Sequence, residues 1–132
     1  VDAEELAVSA GLSLKIDSGF NEILIKTIDK KGIKPKEIIT KSNTTERMFE
    51  YIKRGLLPTK QTLTAITISL GLELDEMQAL LNKAGYALSK SLPNDMVILF
   101  ELERRNYNVY LINEVLYELG LPMLGTKTVD SD

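Results

Sequence analysis

The chemistry open to this chain rests on carboxylates, amines, guanidinium groups, phenols and hydroxyls, because its 132 residues include neither histidine nor cysteine. Their absence removes the commonest general base, the thiolate nucleophile, disulfides and the usual transition-metal ligands. No pair of acids stands at a spacing that points to acid and base catalysis. The sequence therefore predicts a protein that is not an enzyme and that needs no cofactor.

A mixed set of hydrogen-bonding side chains lies in the stretch TTERMFEYIKRG, residues 44–55. Met48, Phe49 and Ile52 have helical spacing, so the stretch predicts a helix with one apolar face. The opposite face carries acids, arginines and a tyrosine, namely Glu46, Arg47, Glu50, Tyr51 and Arg54. Such a face can donate and accept hydrogen bonds side by side.

Positive charge is concentrated around this stretch. Residues 26–60 contain ten cations and four acids, a net charge of +6, whereas the whole chain has a formal charge of −3. A basic segment inside an acidic chain is what a phosphate-binding surface requires. Solvated lysines on helix faces would give the same composition, so both interpretations stay open.

Hydrophobic periodicity predicts an all-α chain of five helices followed by further helices at the C-terminus. The first helix covers residues 20–31, and Gly32 stops it. Its apolar stripe consists of Phe20, Ile23, Leu24, Thr27 and Ile28.

The second helix begins at Pro35, where the missing N–H costs nothing, and it turns Ile38 and Ile39 inward. A tight turn follows, in which Asn43 can adopt the left-handed backbone conformation. Thr45 is suited to cap the third helix through its hydroxyl.

The fourth helix has Thr59 as its predicted cap and ends at Gly71, and the fifth ends before Gly85. The side chains predicted to face the core are Leu63, Ile66 and Leu70 in the fourth helix and Leu74, Met77, Leu80 and Leu81 in the fifth.

Two more helices are predicted beyond Gly85, with Asn94 or Asp95 as the capping residue of the first. Residues 97–102 could instead form a strand, because the run is short, apolar and partly β-branched. The apolar side chains of this part either complete the core or support self-association. They are Val97, Ile98, Phe100, Leu102, Val109, Leu111, Ile112, Val115, Leu116 and Leu119.

The predicted organisation has four parts: an N-terminal linker or extra helix (1–19), the main domain (20–86), a C-terminal helical extension (87–125) and a disordered tail (126–132). The first residue is Val1, as expected for a processed or trimmed chain or for a module of a longer protein. No apolar run of about 18 residues occurs, and the N-terminus is acidic where a secretory signal is basic. We expect a cytoplasmic protein without a membrane segment.

The sequence GIKPKEIITKSNTTERMFEYIKRG resembles the helix-turn-helix of the phage-repressor family, also called the XRE or Cro type. PTKQTLTAITISLGLELDEM is similar to the continuation of that family through its fourth helix and its Leu-Gly-x-x-Leu-Asp-Glu segment. The resemblance covers about residues 20–85. The chain departs from the family at Pro35, where Gln is frequent, at Ile39, where Ala is usual, and at Asn43, where Gly is usual.

The resemblance implies a sequence-specific regulator of transcription that binds double-stranded DNA as a homodimer on a two-fold symmetric site. Its third helix, about residues 45–54, would lie in the major groove. The residues that fall at base-contacting positions are Glu46, Arg47, Glu50 and Tyr51. Those that fall at phosphate-contacting positions are Lys34, Lys36, Thr44, Thr45, Lys53, Arg54, Lys60 and Gln61.

Each of these side chains also has a purely structural interpretation. Glu46 is stabilised by the helix dipole, Glu50 can pair with Arg54, and Tyr51 can be half-buried packing. Thr45 can serve as a cap alone. The alternative function is accordingly a protein-interaction module of a larger protein, which keeps the helix-turn-helix fold, docks a partner or a neighbouring domain and does not bind DNA.

Overall fold

The computed structural model describes residues 18–126, and over this range the chain is all-helical, as predicted. The helices of this range are α1 (Ser18–Lys31), α2 (Pro35–Lys41), α3 (Glu46–Lys53), α4 (Lys60–Ser69), α5 (Leu74–Lys83), α6 (Pro93–Glu103) and α7 (Val109–Glu118). Residues 97–102 lie inside α6, so the helical interpretation is the correct one for them. The predicted linker or extra helix before residue 18 and the predicted tail after residue 126 lie outside the described residues. Between residues 18 and 126, none of the helices combines the length and apolarity needed to cross a membrane.

Two of the three predicted helix caps are confirmed. Thr45 caps α3 by accepting a hydrogen bond from Met48 N at 3.1 Å, and Thr59 caps α4 in the same way. The predicted cap of α6 is wrong, because Pro93 sets the first turn and Leu92 occupies the capping position. Asp95 instead fixes the preceding loop, since its carboxylate accepts from Ser89 N at 2.9 Å.

The loop before α4 is fixed by a tyrosine that follows α5, three residues beyond its last residue. The Tyr86 hydroxyl donates to Pro58 O at 2.7 Å. Burial raises the pKa of Tyr86 above its ordinary value, so the phenol stays a donor. This bond fixes the backbone at Pro58, directly before Thr59, the residue that caps α4.

Helix α4 lies at the centre of the molecule. Every residue from Thr62 to Ile68 is buried, whereas an ordinary surface helix buries only one stripe. Helices α2, α5 and α7 pack against it from different sides. Its polar residues are compatible with burial where they find partners, as Thr67 does by donating to Thr64 O at 2.8 Å.

Two side chains predicted for the core lie at the surface. Leu74 is 41% exposed because it is the first residue of α5. Leu72, two residues earlier and 1% exposed, packs in the core in its place. Ile23 is 36% exposed, while Phe20, Leu24 and Ile28 of the same predicted stripe are buried. The apolar face of α1 is therefore narrower than its sequence suggests.

One hydrophobic cluster crosses residue 86, the predicted domain boundary. Helices α6 and α7 pack on each other, and α7 packs on α4. The cluster includes Ile98, Leu102 and Leu116 together with Phe20 and Leu24 from α1. The C-terminal helices thus complete the core that the first five helices begin.

The segment after α7 folds back as a strap, residues 124–126. A buried asparagine of α7 holds its first residue: Asn113 Nδ2 donates to Leu124 O at 3.0 Å, and Leu124 N donates to Asn113 Oδ1 at 2.7 Å. Leu124 itself is only 2% exposed. The side-chain amide of Asn113 is therefore hydrogen-bonded to both the N–H and the C=O of Leu124, which ties the strap to α7.

The same strap is bonded to the turn between α2 and α3 and to the start of α4. Asn43 Nδ2 donates to Leu124 O at 3.1 Å, and Thr126 N donates to Asn43 O at 2.9 Å. Gly125 N donates to Gln61 O at 3.1 Å. Three residues of the strap thereby join α7, α4 and the α2–α3 turn.

Gly125 is required at the tightest point of this contact. A Cβ atom there would lie 2.6 Å from Asn43 O and 2.8 Å from Ser42 O, and its φ of +97° suits only glycine. Both obstructing atoms belong to backbone of the α2–α3 turn, so they cannot swing aside.

We expect Gly125→Ala to lower the free energy of unfolding at least twice as much as Gly120→Ala, measured by urea denaturation. Gly120 also has a positive φ, of +69°, but a Cβ there meets nothing within 4 Å. The control therefore carries only the backbone strain, of roughly 1–2 kcal/mol. Equal losses in the two variants would contradict tight packing of the strap on the turn.

Candidate nucleic-acid interface

The connection between α2 and α3 is a tight turn of four residues. Asn43 has φ of 55°, which confirms the predicted left-handed conformation. The turn is closed by Thr44 N, which donates to Ile39 O at 3.2 Å, and by the Ser42 hydroxyl, which donates to Ile38 O at 2.6 Å. These bonds fix the direction in which α3 leaves α2.

Helix α3 buries one side and exposes the other. Phe49 and Ile52 are 2% and 1% exposed, and Asn21 of α1 donates a hydrogen bond to Ile52 O. Glu46 and Arg47 lie on the exposed side in the first turn of the helix. The start of α3 therefore presents charged side chains to the solvent.

Tyr51 lies between two arginines on this exposed side. Arg47 Nε donates to the Tyr51 hydroxyl at 2.8 Å, and the Arg47 guanidinium carbon is 5.6 Å from the centroid of the ring. The Arg54 guanidinium carbon is 5.8 Å from the same centroid. Cation–π attraction and the hydrogen bond together orient Arg47, so the half-buried Tyr51 acts as a support for it.

Glu50 and Lys53 form an ion pair on the next part of the helix, with Nζ 3.5 Å from Oε1. Lys53 also lies over the ring of Phe49, 5.4 Å from its centroid. Both charged side chains remain about half exposed, so the pair contributes little to stability. Glu50 and Lys53 are consequently available to a ligand of α3.

The other exposed cations among the predicted phosphate-contacting residues lie at the start of α2 and the end of α3. Lys34 precedes α2 and Lys36 is in its first turn, while Arg54 follows α3. Gln61 is exposed in the first turn of α4. Along the chain these residues lie before and after α3. All of them are exposed and so accessible to a polyanion.

Three of the predicted phosphate-contacting residues are occupied elsewhere. Thr44 is 1% exposed, and its hydroxyl is 2.6 Å from the Ser42 hydroxyl, so it cannot reach a phosphate in this conformation. The Thr45 hydroxyl serves the helix cap. Lys60 Nζ is 2.7 Å from Asp95 Oδ2, and this carboxylate neutralises its charge. The exposed set is thus smaller than the sequence predicted.

Sequence reasoning did not find the strap or the Lys60–Asp95 pair. Both join residues far apart in the chain, for example Asn43 with Leu124. The one available signal was Asn113, a strongly polar residue on the apolar side of the last helix. A buried asparagine needs partners, and here they are the backbone groups of Leu124.

No protein-family model, curated protein or solved structure matches the chain. The resemblance to the phage-repressor family therefore stands on the sequence motifs alone.

Proposed function

We propose that the chain is a sequence-specific, double-stranded-DNA-binding transcription regulator of the helix-turn-helix type, working in the cytoplasm. In this proposal α3 lies in the major groove and α2 crosses the phosphate backbone. The observation that carries it is the exposed start of α3, where Arg47 is oriented by Tyr51 directly after a tight turn. If α3 served only to complete the core, it would not need an arginine held in one orientation on its exposed side.

Arg47 is the principal base-reading residue of the proposal. A guanidinium group can bond guanine O6 and N7 together, which discriminates against other bases by about 1–3 kcal/mol. Glu46 and Glu50 would accept hydrogen bonds from cytosine amino groups. Tyr51 would contribute mainly by holding Arg47, since its hydroxyl already accepts from Arg47 Nε.

Phosphate contacts fall to the exposed cations Lys34, Lys36, Lys53 and Arg54, with Gln61 as a neutral donor. Cations of this kind position a protein on the duplex and make its affinity depend on salt, but they carry no sequence preference. Lys53 is the best placed for a change of partner, because its ion pair with Glu50 is exposed and weak.

A homodimer completes the proposal, since helix-turn-helix proteins read two-fold symmetric sites through two-fold symmetric pairs. We assign the dimer contact to the α6–α7 apolar face, defined by exposed apolar side chains of both helices. They are Leu92, Met96, Phe100, Leu111, Val115 and Leu119, each between 36% and 59% exposed.

The exposed apolar residues recur at every fourth position, 92, 96 and 100 along α6 and 111, 115 and 119 along α7, so each helix has one exposed apolar stripe. Helices α6 and α7 are joined by a short loop and pack on each other, and Asn94 Nδ2 donates to Pro122 O at 2.5 Å at the open end. Large apolar residues such as Phe and Met are enriched in the buried centre of protein interfaces.

Fluorescence anisotropy with a pool of random duplexes, at about 50 and 200 mM salt, tests the DNA-binding surface. We expect binding at the lower salt that weakens steeply at the higher, because phosphate contacts release counterions. A folded protein that shows no binding at about 50 mM salt would refute the proposal.

Arg47→Ala should weaken binding to the selected site and relax the preference at one base pair. The loss should be about tenfold or more, measured by anisotropy with the preferred duplex and its single-base variants. The matched control is the double variant Lys53→Ala with Arg54→Ala, which should weaken all duplexes about equally and reduce the salt slope. An unchanged site preference in Arg47→Ala would contradict its role as a base reader.

Phe100→Glu should convert the dimer to a monomer, measured by sedimentation equilibrium, because it places a charge in the α6–α7 apolar face. Leu74→Glu is the control, since Leu74 is also a large exposed apolar side chain, 41% accessible, but lies on α5. A wild-type protein that is monomeric at all concentrations, or dimers that persist in Phe100→Glu, would exclude this face as the dimer contact.

The second candidate function is a protein-interaction module that does not bind DNA. The α6–α7 apolar face favours it, because Met96, Phe100 and Leu119 of this face are each more than half exposed, whereas no residue of α3 is among the exposed large apolar side chains. In that case the face would dock a partner or a neighbouring domain. The anisotropy measurement separates the two functions, since only the first requires duplex binding.

A further inference from the structure

A cleft of about 400 Å³ lies between the start of α5 and the end of α6. Leu72 and Glu73 line it on one side, and Glu103, Arg105 and Tyr107 line it on the other. Its volume is within the range of about 300–1,000 Å³ found for small-molecule sites. Among the described residues, those that line this cleft belong neither to α3 nor to the α6–α7 apolar face, so the cleft is a separate feature of the surface.

The buried residues of the cleft are apolar and form its floor. Leu72 and Leu102 are 1% and 6% exposed, and Leu99 is partly buried against the same core. Since one water molecule takes up about 30 Å³ in the liquid, the cleft has room for roughly thirteen heavy atoms. A large apolar amino acid is of this size.

The rim of the cleft carries balanced charges. Two acids, Glu73 and Glu103, and two cations, Lys90 and Arg105, line it, and all four are exposed. A ligand with a single charge would meet a like charge together with the opposite one, whereas a ligand that carries both charges can pair each of them. The rim therefore favours a zwitterion.

Glu73 and Arg105 lie side by side on this rim. Arg105 Nη1 is 3.7 Å from Glu73 Oε1, which is longer than a hydrogen bond, and the two side chains are 75% and 65% exposed. Such a pair contributes little to stability, so both groups are open to a ligand. A neighbouring cation and acid match the carboxylate and ammonium groups of an α-amino acid, which are attached to one carbon atom. A guanidinium group can bond both oxygens of a carboxylate.

The backbone at Arg105 has a conformation that long side chains rarely adopt. Between residues 18 and 126, five helices are followed within two residues by a glycine with a positive φ, and α2 is followed by Asn43. Glycine and asparagine tolerate this conformation. Arg105 holds the same position after α6, with φ of +65°. The weak pair with Glu73 does not compensate for this strain, and strained residues of this kind are concentrated at functional sites.

We propose that this cleft binds a free α-amino acid with a large apolar side chain. The carboxylate of the ligand accepts hydrogen bonds from Arg105, its ammonium group donates to Glu73, and its side chain packs on the leucines of the floor, which are Leu72, Leu99 and Leu102. The proposal does not depend on whether α3 binds DNA.

The test is an NMR titration of the ¹⁵N-labelled chain with L-leucine. We expect shifts of the Leu72, Arg105 and Tyr107 amides, with a dissociation constant of about 1 mM or below. Isopentylamine, which lacks the carboxylate, and isocaproate, which lacks the ammonium group, should each bind about tenfold more weakly. Glycine, which lacks the apolar side chain, should also bind more weakly. No shifts at these amides, or an affinity for any of the three analogues equal to that for leucine, would overturn the proposal.

Arg105→Asn separates a ligand role from a structural one. Asparagine tolerates the left-handed conformation, as Asn43 does after α2, so the variant should be at least as stable to urea as the wild type. It should weaken leucine binding about tenfold or more, because it removes the guanidinium group. Arg104→Asn is the matched control: it removes the same charge from a neighbour that has φ of −81° and lies outside the cleft, and it should leave binding unchanged. Equal affinity of Arg105→Asn and the wild type, or equal weakening by both variants, would overturn the proposal.

Discussion

Every residue of α4 from Thr62 to Ile68 is buried, and the neighbouring helices are arranged to cover this segment. A helix whose residues from Thr62 to Ile68 are all inaccessible needs cover on every side, and one layer of neighbours cannot provide it. Helices α2 and α5 cover part of it, and α7 covers another part. The C-terminal helices are therefore necessary to the fold, and the apolar sequence of α4 would otherwise face water.

The position of α3 follows from that arrangement. The turn that precedes α3 is bonded on one side to α2 and on the other to the strap, through Asn43 O and the Asn43 amide group. The strap in turn is held by Asn113 on α7. The turn from which α3 starts is thus held by a chain of contacts that begins at the opposite end of the described residues.

Features encoded by adjacent residues could be predicted from the sequence. The Thr45 and Thr59 caps, the left-handed Asn43 and the all-helical class each depend on residues within one or two turns. Features that depend on distant partners could not be predicted, because one sequence does not show which distant residues come into contact. The neutralisation of Lys60 by Asp95 and the strap are of this second kind, and the first of them explains why Lys60 is not among the available cations of the predicted interface.

The strap also has a consequence for the order of folding during synthesis. Asn43 pairs with Leu124 across 81 positions of sequence, and Thr62 pairs with Thr126 across 64. Contacts of such long range form slowly because a large loop must close first. The turn before α3 cannot gain its final bonds until residue 126 has emerged from the ribosome, so nascent chains that stop short of it should lack the bonds of Asn43 with Leu124 and Thr126.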